Sequence, residues 1–268
     1  MSMELLFDSL GTQVQVQNET HDRLTTWLEA LESAGYTVNY TDSTQPLPGQ
    51  LRGNQVFIVT TRQRAYPPPA IPPGTRFAYD SKDLSGMQTW IRDEGGSLLL
   101  FVNHSAKPPF RSAPPNPNLI YWPIYDIQLA AALGITTVFA LIDLTIGVMP
   151  IPMPPNPDAP PSLIAGVSTV QAWDSGGIVP VMSNGSGTIL VPLPAGRRDS
   201  SGLNYQTADL AFAVLYTLGK GKIIVIGHSG ITGNQGTPYP SPGQIESGDN
   251  LRFLMNCVSY LAATAGAA

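Results

Sequence analysis

The chain has 268 residues, a formal net charge of −5 and only 12% charged residues, about half the usual ~25%. No Lys/Arg cluster exists beyond Arg197-Arg198, which excludes a nucleic-acid footprint. The apolar fraction of 43% is ample for a core, and 26 prolines with 26 glycines replace the missing charge by stiff, turn-rich connections. The single cysteine, Cys257, excludes an intrachain disulfide and reads as a small core residue of a helix.

Met3 to Phe7 is a short apolar run ending at Asp8, the first predicted strand. No leader pattern precedes it, so the expected location is cytoplasmic, unless a signal was removed in cloning. Thr20 or Asp22 caps a helix whose Leu24, Trp27, Leu28 and Leu31 share one face, and Gly35 ends it. Tyr36 to Tyr40 alternates as a strand, completing a β-α-β unit. Gln55 to Thr60 is the third strand, followed by Thr61 and Arg62 and then a proline-rich stretch. A helix starting near Ser81 or Asp83 buries Leu84, Met87, Trp90 and Ile91 and closes at Gly95-Gly96. Ser97 to Val102 is the fourth strand, ending in Asn103-His104-Ser105.

From 107 to about 165 the composition turns to proline, asparagine and aromatics, and this stretch reads as an insertion in a single domain spanning 1–268. Within it a helix is expected at 125–133, stopped by Gly134, then an apolar run from Thr136 to Leu144, then a proline belt from Pro150 to Pro161. The apolar stretch 138–153 carries Asp143 and several prolines, so no membrane span is expected. Short strands follow at 167–172, 178–182 and 188–193, with Asn184-Gly185 as a hairpin signal. Residues 208–218 are predicted helical, with Leu210, Val214 and Leu218 aligned. Lys222 to Ile226 is an apolar strand running into Gly227-His228-Ser229-Gly230. The last helix, 250–262, buries Leu251, Leu254, Val258 and Leu261 behind Asp249 as N-cap.

Alternating strands and helices predict an α/β fold, a mostly parallel sheet with helices on both faces. Chemistry in such sheets collects at the carboxyl ends of the strands. Those ends are Asp8, Thr60 to Arg62, Asn103 to Ser105 and Gly227 to Gly230. The three histidines, His21, His104 and His228, all fall on that edge. One reading is a polar pocket in which Asp8, Thr61, Arg62, Asn103 and Ser105 bind a ligand. A second is a metal site of His21, His104, His228 and Asp8, whose imidazole and carboxylate donors suit zinc or iron. A third is purely structural, the polar residues capping strand ends. Gly227-His228-Ser229-Gly230-Ile231 approaches the nucleophile elbow G-x-S-x-G, which makes Ser229, with His228 and His104, the catalytic candidates. Ile231 breaks the pattern, and no histidine follows His228 to complete a triad. The aromatics Tyr121, Trp122, Tyr125 and Trp173 line the pocket or serve as packing.

Four stretches carry a family likeness: Leu5-Leu6-Phe7-Asp8; Glu94 to Leu100; Gly219 to Ser229; and Asp249 to Asn256 with Tyr260-Leu261. Together they resemble the class I glutamine-amidotransferase-like superfamily, nearest its DUF4350 and GIFT-type branch, with the ThuA-like proteins near by. The resemblance covers about 1–105 and 205–262. It implies a flavodoxin-like three-layer sandwich, in whose strand order the strands ending at Asp8 and His104 are expected side by side, with that ending at His228 further out. It places the nucleophilic cysteine at about Asn103 to Ser105, where this chain has none. It places the triad histidine at His228 and a glutamate at Gly230. The chain is therefore not expected to be a glutamine amidotransferase. Two functions stay open: a non-catalytic module binding a small polar ligand, such as a carbohydrate, or a protein partner without a cofactor, and a hydrolase using the His/Asp edge.

Overall fold

The computed structural model describes residues 3–8, 21–42, 45–60, 79–102, 129–146, 149–183, 185–196, 210–234 and 244–265. Its strands are β1 (Met3–Phe7), β2 (Tyr36–Tyr40), β3 (Val56–Val59), β4 (Ser97–Phe101), β5 (Ile135–Asp143), β6 (Thr145–Ile146), β7 (Met149–Met153), β8 (Val170–Ala172), β9 (Asp174–Met182), β10 (Gly185–Ser186), β11 (Thr188–Pro192), β12 (Ala211–Leu218) and β13 (Gly221–Ile226). Its helices are α1 (His21–Ser33), α2 (Leu47–Leu51), α3 (Ser81–Arg92), α4 (Pro161–Ile164) and α5 (Asn250–Thr264). Residues 129–132 are also helical, and Ser229–Thr232 forms one 3-10 turn.

The apolar runs seen in the sequence become parallel neighbours in the order β2-β1-β3-β4-β13. Alternate residues of each strand feed two cores, because successive side chains point to opposite faces. On one face Leu5, Phe7, Ile58, Leu99, Phe101, Ile224 and Ile226 meet Leu24, Trp27, Leu28 and Leu31 of α1 and Phe253, Leu254 and Val258 of α5. On the other, Leu6, Phe57, Val59, Leu98, Leu100 and Val225 meet Leu47 and Leu51 of α2 and Met87, Trp90 and Ile91 of α3. Each such side chain, fully buried, contributes roughly 1.5–3 kcal/mol. Apolar residues at every strand position, rather than at every second one, are what this two-sided burial demands.

The sheet is mixed, not parallel throughout. Beyond β13 it continues antiparallel: β12 pairs with β13, β11 and β9 share the other edge of β12, and β5 and β10 flank β9. This corrects the helix expected at 208–218. Leu210, Val214 and Leu218 do recur every four residues. The residues between them, Ala211, Phe212, Ala213, Leu215 and Tyr216, are apolar too and at most 7% exposed. A helix buries one face, whereas a continuously apolar run closed by Gly219 suits a strand covered on both. The proline belt also holds a strand: β7, with Pro150 and Pro152, pairs with β6 and β8 in a separate three-stranded sheet. Two prolines are tolerated because the Ile151 amide between them still donates, to Leu144 O at 2.7 Å.

Helix ends follow the expected chemistry with two shifts. Gly35, at φ +87°, closes α1 in the left-handed conformation that glycine adopts most readily. The cap of α3 is Asp80, which accepts from the amides of Lys82 and Asp83, while the Asp83 carboxylate accepts from the Asp80 amide. Asp249 stands at the N-cap position of α5 but makes no side-chain cap bond. Its Oδ2 instead accepts from the Ser168 amide and hydroxyl, both at 2.7 Å, and from the Thr169 amide at 3.1 Å. The Ser168 bonds, with the Thr169 amide, hold this carboxyl below the ordinary carboxylate range.

Candidate functional site

Because β1, β2, β3, β4 and β13 are parallel, the residues that follow them share one edge. Read across the sheet they are Thr41, Asp8, Thr60, Val102 and Gly227. Neighbouring strands lie about 4.8 Å apart. β3 stands between β1 and β4, so the strands ending at Asp8 and His104 are not side by side as expected. β4 pairs instead with β13, and the Val102 amide donates to Ile226 O at 2.8 Å. The strand leading to His104 is therefore the neighbour of the strand leading to His228. Asp8 and the end of β13 are three strand intervals apart, roughly 14 Å. His104, Asn103, Ser105, Thr61 and Arg62 lie outside the described residues, as do Tyr121, Trp122 and Tyr125. His21 opens α1, and its side chain is likewise outside the description.

Asp8 is 1% exposed. Its Oδ2 accepts from the Tyr79 hydroxyl at 2.9 Å and its Oδ1 from the Thr41 hydroxyl at 3.3 Å. Its amide donates to Ile58 O at 2.9 Å. The carboxylate thus joins three segments: the end of β1, the residue after β2, and the residue before the α3 cap. Buried carboxylates need such donors, since an unpaired buried charge is costly. Thr41 followed from the strand-end rule already applied to Asp8. Tyr79 carried no signal, because it emerges from the proline-rich stretch after Arg62.

At the other end of the edge, His228 is 2% exposed and extended, with φ −157° and ψ 131°. Its Nδ1 accepts from the Gly230 amide at 3.0 Å. While that bond stands Nδ1 carries no proton, so the neutral ring has its hydrogen on Nε2. Nε2 is then a donor. The ring lies against Gly230: a Cβ built there would come within 2.4 Å of Cε1 and 2.6 Å of Nδ1. No side chain fits at Gly230 with the ring in place.

Gly227 is clasped on both sides. Its amide donates to Phe212 O at 2.7 Å, and its carbonyl accepts from the Gly176 amide at 2.8 Å. A Cβ at 227 would meet Ser175 Oγ at 2.2 Å. Ser229 is 8% exposed, and its carbonyl accepts from the Thr232 hydroxyl at 2.7 Å. A nucleophile elbow displays its serine at the top of the sheet; here the serine is folded into a buried turn. Gly230 O then accepts from the Gly233 and Gln244 amides, and Gly233 O from the Ile245 amide. The Gln244 side chain accepts from the Trp173 amide at 3.2 Å, fixing that backbone beside the turn.

Among the described residues no group of three or more His, Cys, Asp or Glu side chains is placed to hold a metal ion. Cys257 is fully buried in α5, and burial pushes its thiol far above the ordinary range. No described helix is long and apolar enough to cross a membrane. An open groove of about 540 Å3, lined by Ala30, Glu246, Asp249, Arg252, Met255 and Asn256, lies along α5 and includes none of the strand-end residues.

No family model matches the chain, and no curated protein sequence matches it. Solved structures do. Cytoplasmic protein STM1381 from Salmonella typhimurium LT2 is similar at a TM-score of 0.56 and 12% identity, over 97% of this chain and 99% of that one. Cytoplasmic protein STM3548 from Salmonella typhimurium is similar at 0.54 and 11% identity, over 96% and 98%. The likeness is one of fold, running along essentially the whole of each chain. A protein described as ThuA-like from Bacteroides uniformis matches at 12% identity over 97% of this chain and 91% of that one, but at a TM-score of 0.44, which carries no weight.

Proposed function

We propose that this protein is a non-catalytic, amidotransferase-like module with a flavodoxin-like sheet. Its strand-end edge binds a small polar ligand, of which a carbohydrate is one type, and a protein partner is the alternative occupant. The observation that carries this reading is the state of His228. Its Nδ1 is occupied by the Gly230 amide, and its ring fills the space that a side chain at 230 would need. The position where the family resemblance implies a catalytic glutamate is closed by the histidine itself. A histidine whose Nδ1 already accepts a hydrogen bond is not poised to take a proton at that nitrogen, which disfavours a general-base role. Ser229, buried in its turn, supports the same reading.

The hydrolase reading with a zinc or iron ion is less favoured. It asks His21, His104, His228 and Asp8 to share one ion at bond lengths near 2 Å. The strands that carry Asp8 and His228 end roughly 14 Å apart, and the Asp8 carboxylate already accepts from the Thr41 and Tyr79 hydroxyls. A cytoplasmic location fits the module, as both similar Salmonella proteins are described as cytoplasmic.

The deciding variant is His228→Asn. The Asn amide oxygen stands where Nδ1 stands and keeps an acceptor for the Gly230 amide, while Nε2 is lost. Calorimetric titration of the wild type with a panel of mono- and disaccharides, polyols and carboxylates should find a binder, and H228N should lose it while melting within a few degrees of wild type. Binding that survives H228N overturns the reading. So does hydrolysis of a model ester or glycoside that depends on His228.

A further inference from the structure

Two buried side-chain amides meet beside the His228 turn. Asn250, the first residue of α5, is 0% exposed, and Gln244 is 2% exposed. A buried amide is unfavourable unless its donors and acceptor are met, so its partners show what it holds. The Asn250 Oδ1 accepts from the Gln171 amide at 2.9 Å, and its Nδ2 donates to Gln171 O at 2.8 Å. The Asn250 side chain thus pairs with β8 much as a neighbouring strand would. Its Nδ2 also donates to Gln244 O at 2.7 Å. None of these three bonds is to α5 itself.

Gln244 carries the constraint onward. Its amide donates to Gly230 O at 3.1 Å, and the Gly230 amide donates to His228 Nδ1 at 3.0 Å. Gly230 O also accepts from the Gly233 amide, but that bond lies within the turn. Among the described residues, the Gln244 bond is the one that ties Gly230 to another segment. Three bonds in series therefore lead from α5 to the imidazole. We propose that Asn250 is a positioning residue for His228. By holding Gln244 it orients the Gly230 peptide so that its N–H meets Nδ1. Which nitrogen of a neutral imidazole carries the hydrogen is set by the bond the other makes, so Asn250 fixes the tautomer of His228 from a different element of the fold. This rests on the proposed function, in which the His228 end of the edge is part of the binding site. The competing explanation is that Asn250 only joins β8 to α5. Its loss would then lower stability and leave the tautomer of His228 unchanged.

The test uses full-length protein with 15N in the rings of its three histidines; the His228 signals are assigned by their loss in H228N. Wild type is compared with Asn250→Ala and with Asp249→Asn, which loosens the same end of α5 from Ser168 but makes none of the Gln244 bonds. At neutral pH the wild-type Nδ1 should show the high-frequency signal of an unprotonated ring nitrogen. N250A should lower the share of that tautomer and shift the Gly230 amide proton upfield, while D249N matches wild type. His228 signals unmoved in N250A overturn the proposal. So does an equal change in D249N, since loosening α5 would then suffice. If N250A does not fold, native-state hydrogen exchange of the wild type decides. The Gly230, Gln244 and Gln171 amides should open together as one unit, and a Gly230 amide that exchanges well before the other two overturns the proposal. All of this is read without ligand. A saccharide titration that finds no binder would sink the binding function, and the His228 signals would still decide the role of Asn250.

Discussion

The two ends of the strand-end edge are built on different principles. Asp8 is held by side chains from other segments, Thr41 after β2 and Tyr79 before α3. His228 Nδ1 accepts from an amide of its own chain, that of Gly230 two residues further on. The first arrangement exists only once three segments have come together, so it belongs to the stability of the fold. The second includes a contact made within the turn after β13, while the backbone of that turn is tied to Phe212, Gly176 and Gln244. A polar residue at a strand end is thus no guide to function by itself; what it bonds to decides.

The largest expected effect is at the tertiary end. Asp8→Ala removes the acceptor of the buried Thr41 hydroxyl and the half-buried Tyr79 hydroxyl and should cost about 1.5–3 kcal/mol in a urea melt, the range for hydrogen bonds to a charged group. A loss below about 0.5 kcal/mol would erase the distinction between the two ends. Next comes Gly230→Ala. The added methyl must displace the His228 ring or strain the turn, at about 1–3 kcal/mol. The double variant His228→Ala/Gly230→Ala should recover most of that penalty relative to H228A alone, a coupling readable in a double-mutant cycle. Simple additivity would mean that ring and glycine do not compete for space. His228→Asn should be milder, within about 1 kcal/mol of wild type, since the amide keeps its acceptor. A larger loss would move His228 into the same class as Asp8.

The smallest effect is expected at Asp249, which like Asp8 joins distant segments but does so at the surface. Its folded carboxyl is held below its unfolded value by Ser168 and Thr169. Its contribution is therefore present above the unfolded carboxylate pKa, near 3.9, and is lost as the pH falls through the folded value. Asp249→Asn should flatten the acid limb of a stability-against-pH curve and change little at neutral pH beyond the lost Ser168 contacts. An acid limb identical to wild type would show that the Ser168 bonds do not persist in solution.

Much of this was legible in the sequence, and the failures have identifiable causes. β1, β3, β4 and β13 announced themselves as apolar runs too short and too continuous for amphipathic helices. β12 misled because Leu210, Val214 and Leu218 fall on a helical repeat while their neighbours are equally apolar; composition between the repeat positions was the better guide. Asp249 was found at the right place with the wrong partner, since capping propensity says nothing of a serine eighty-one positions away. Strand order was not legible at all: nothing in Leu98 or Ile223 shows that they are partners. The contact of His228 with Gly230 was within reach, because it is local and glycine at 230 is the trace it leaves. Tyr79 was not, because its role depends on where a proline-rich stretch returns to the sheet.

β13 stands where the parallel and antiparallel halves of the sheet meet, pairing with β12 on one side and β4 on the other. The β12–β13 pair is a hairpin closed by Gly219-Lys220, so its contacts are nearly all between close sequence neighbours. The β4–β13 pair joins Leu98 to Ile223, 125 positions apart. Closing a loop of that size is slow compared with forming a hairpin, since its entropy cost comes before its contacts. During refolding, amide protection of Tyr216 and Ile223 against each other should therefore precede protection of Val102 by Ile226. The Phe212–Gly227 bond that orients the His228 turn would be in place early, with the Asp8 latch among the last contacts to close.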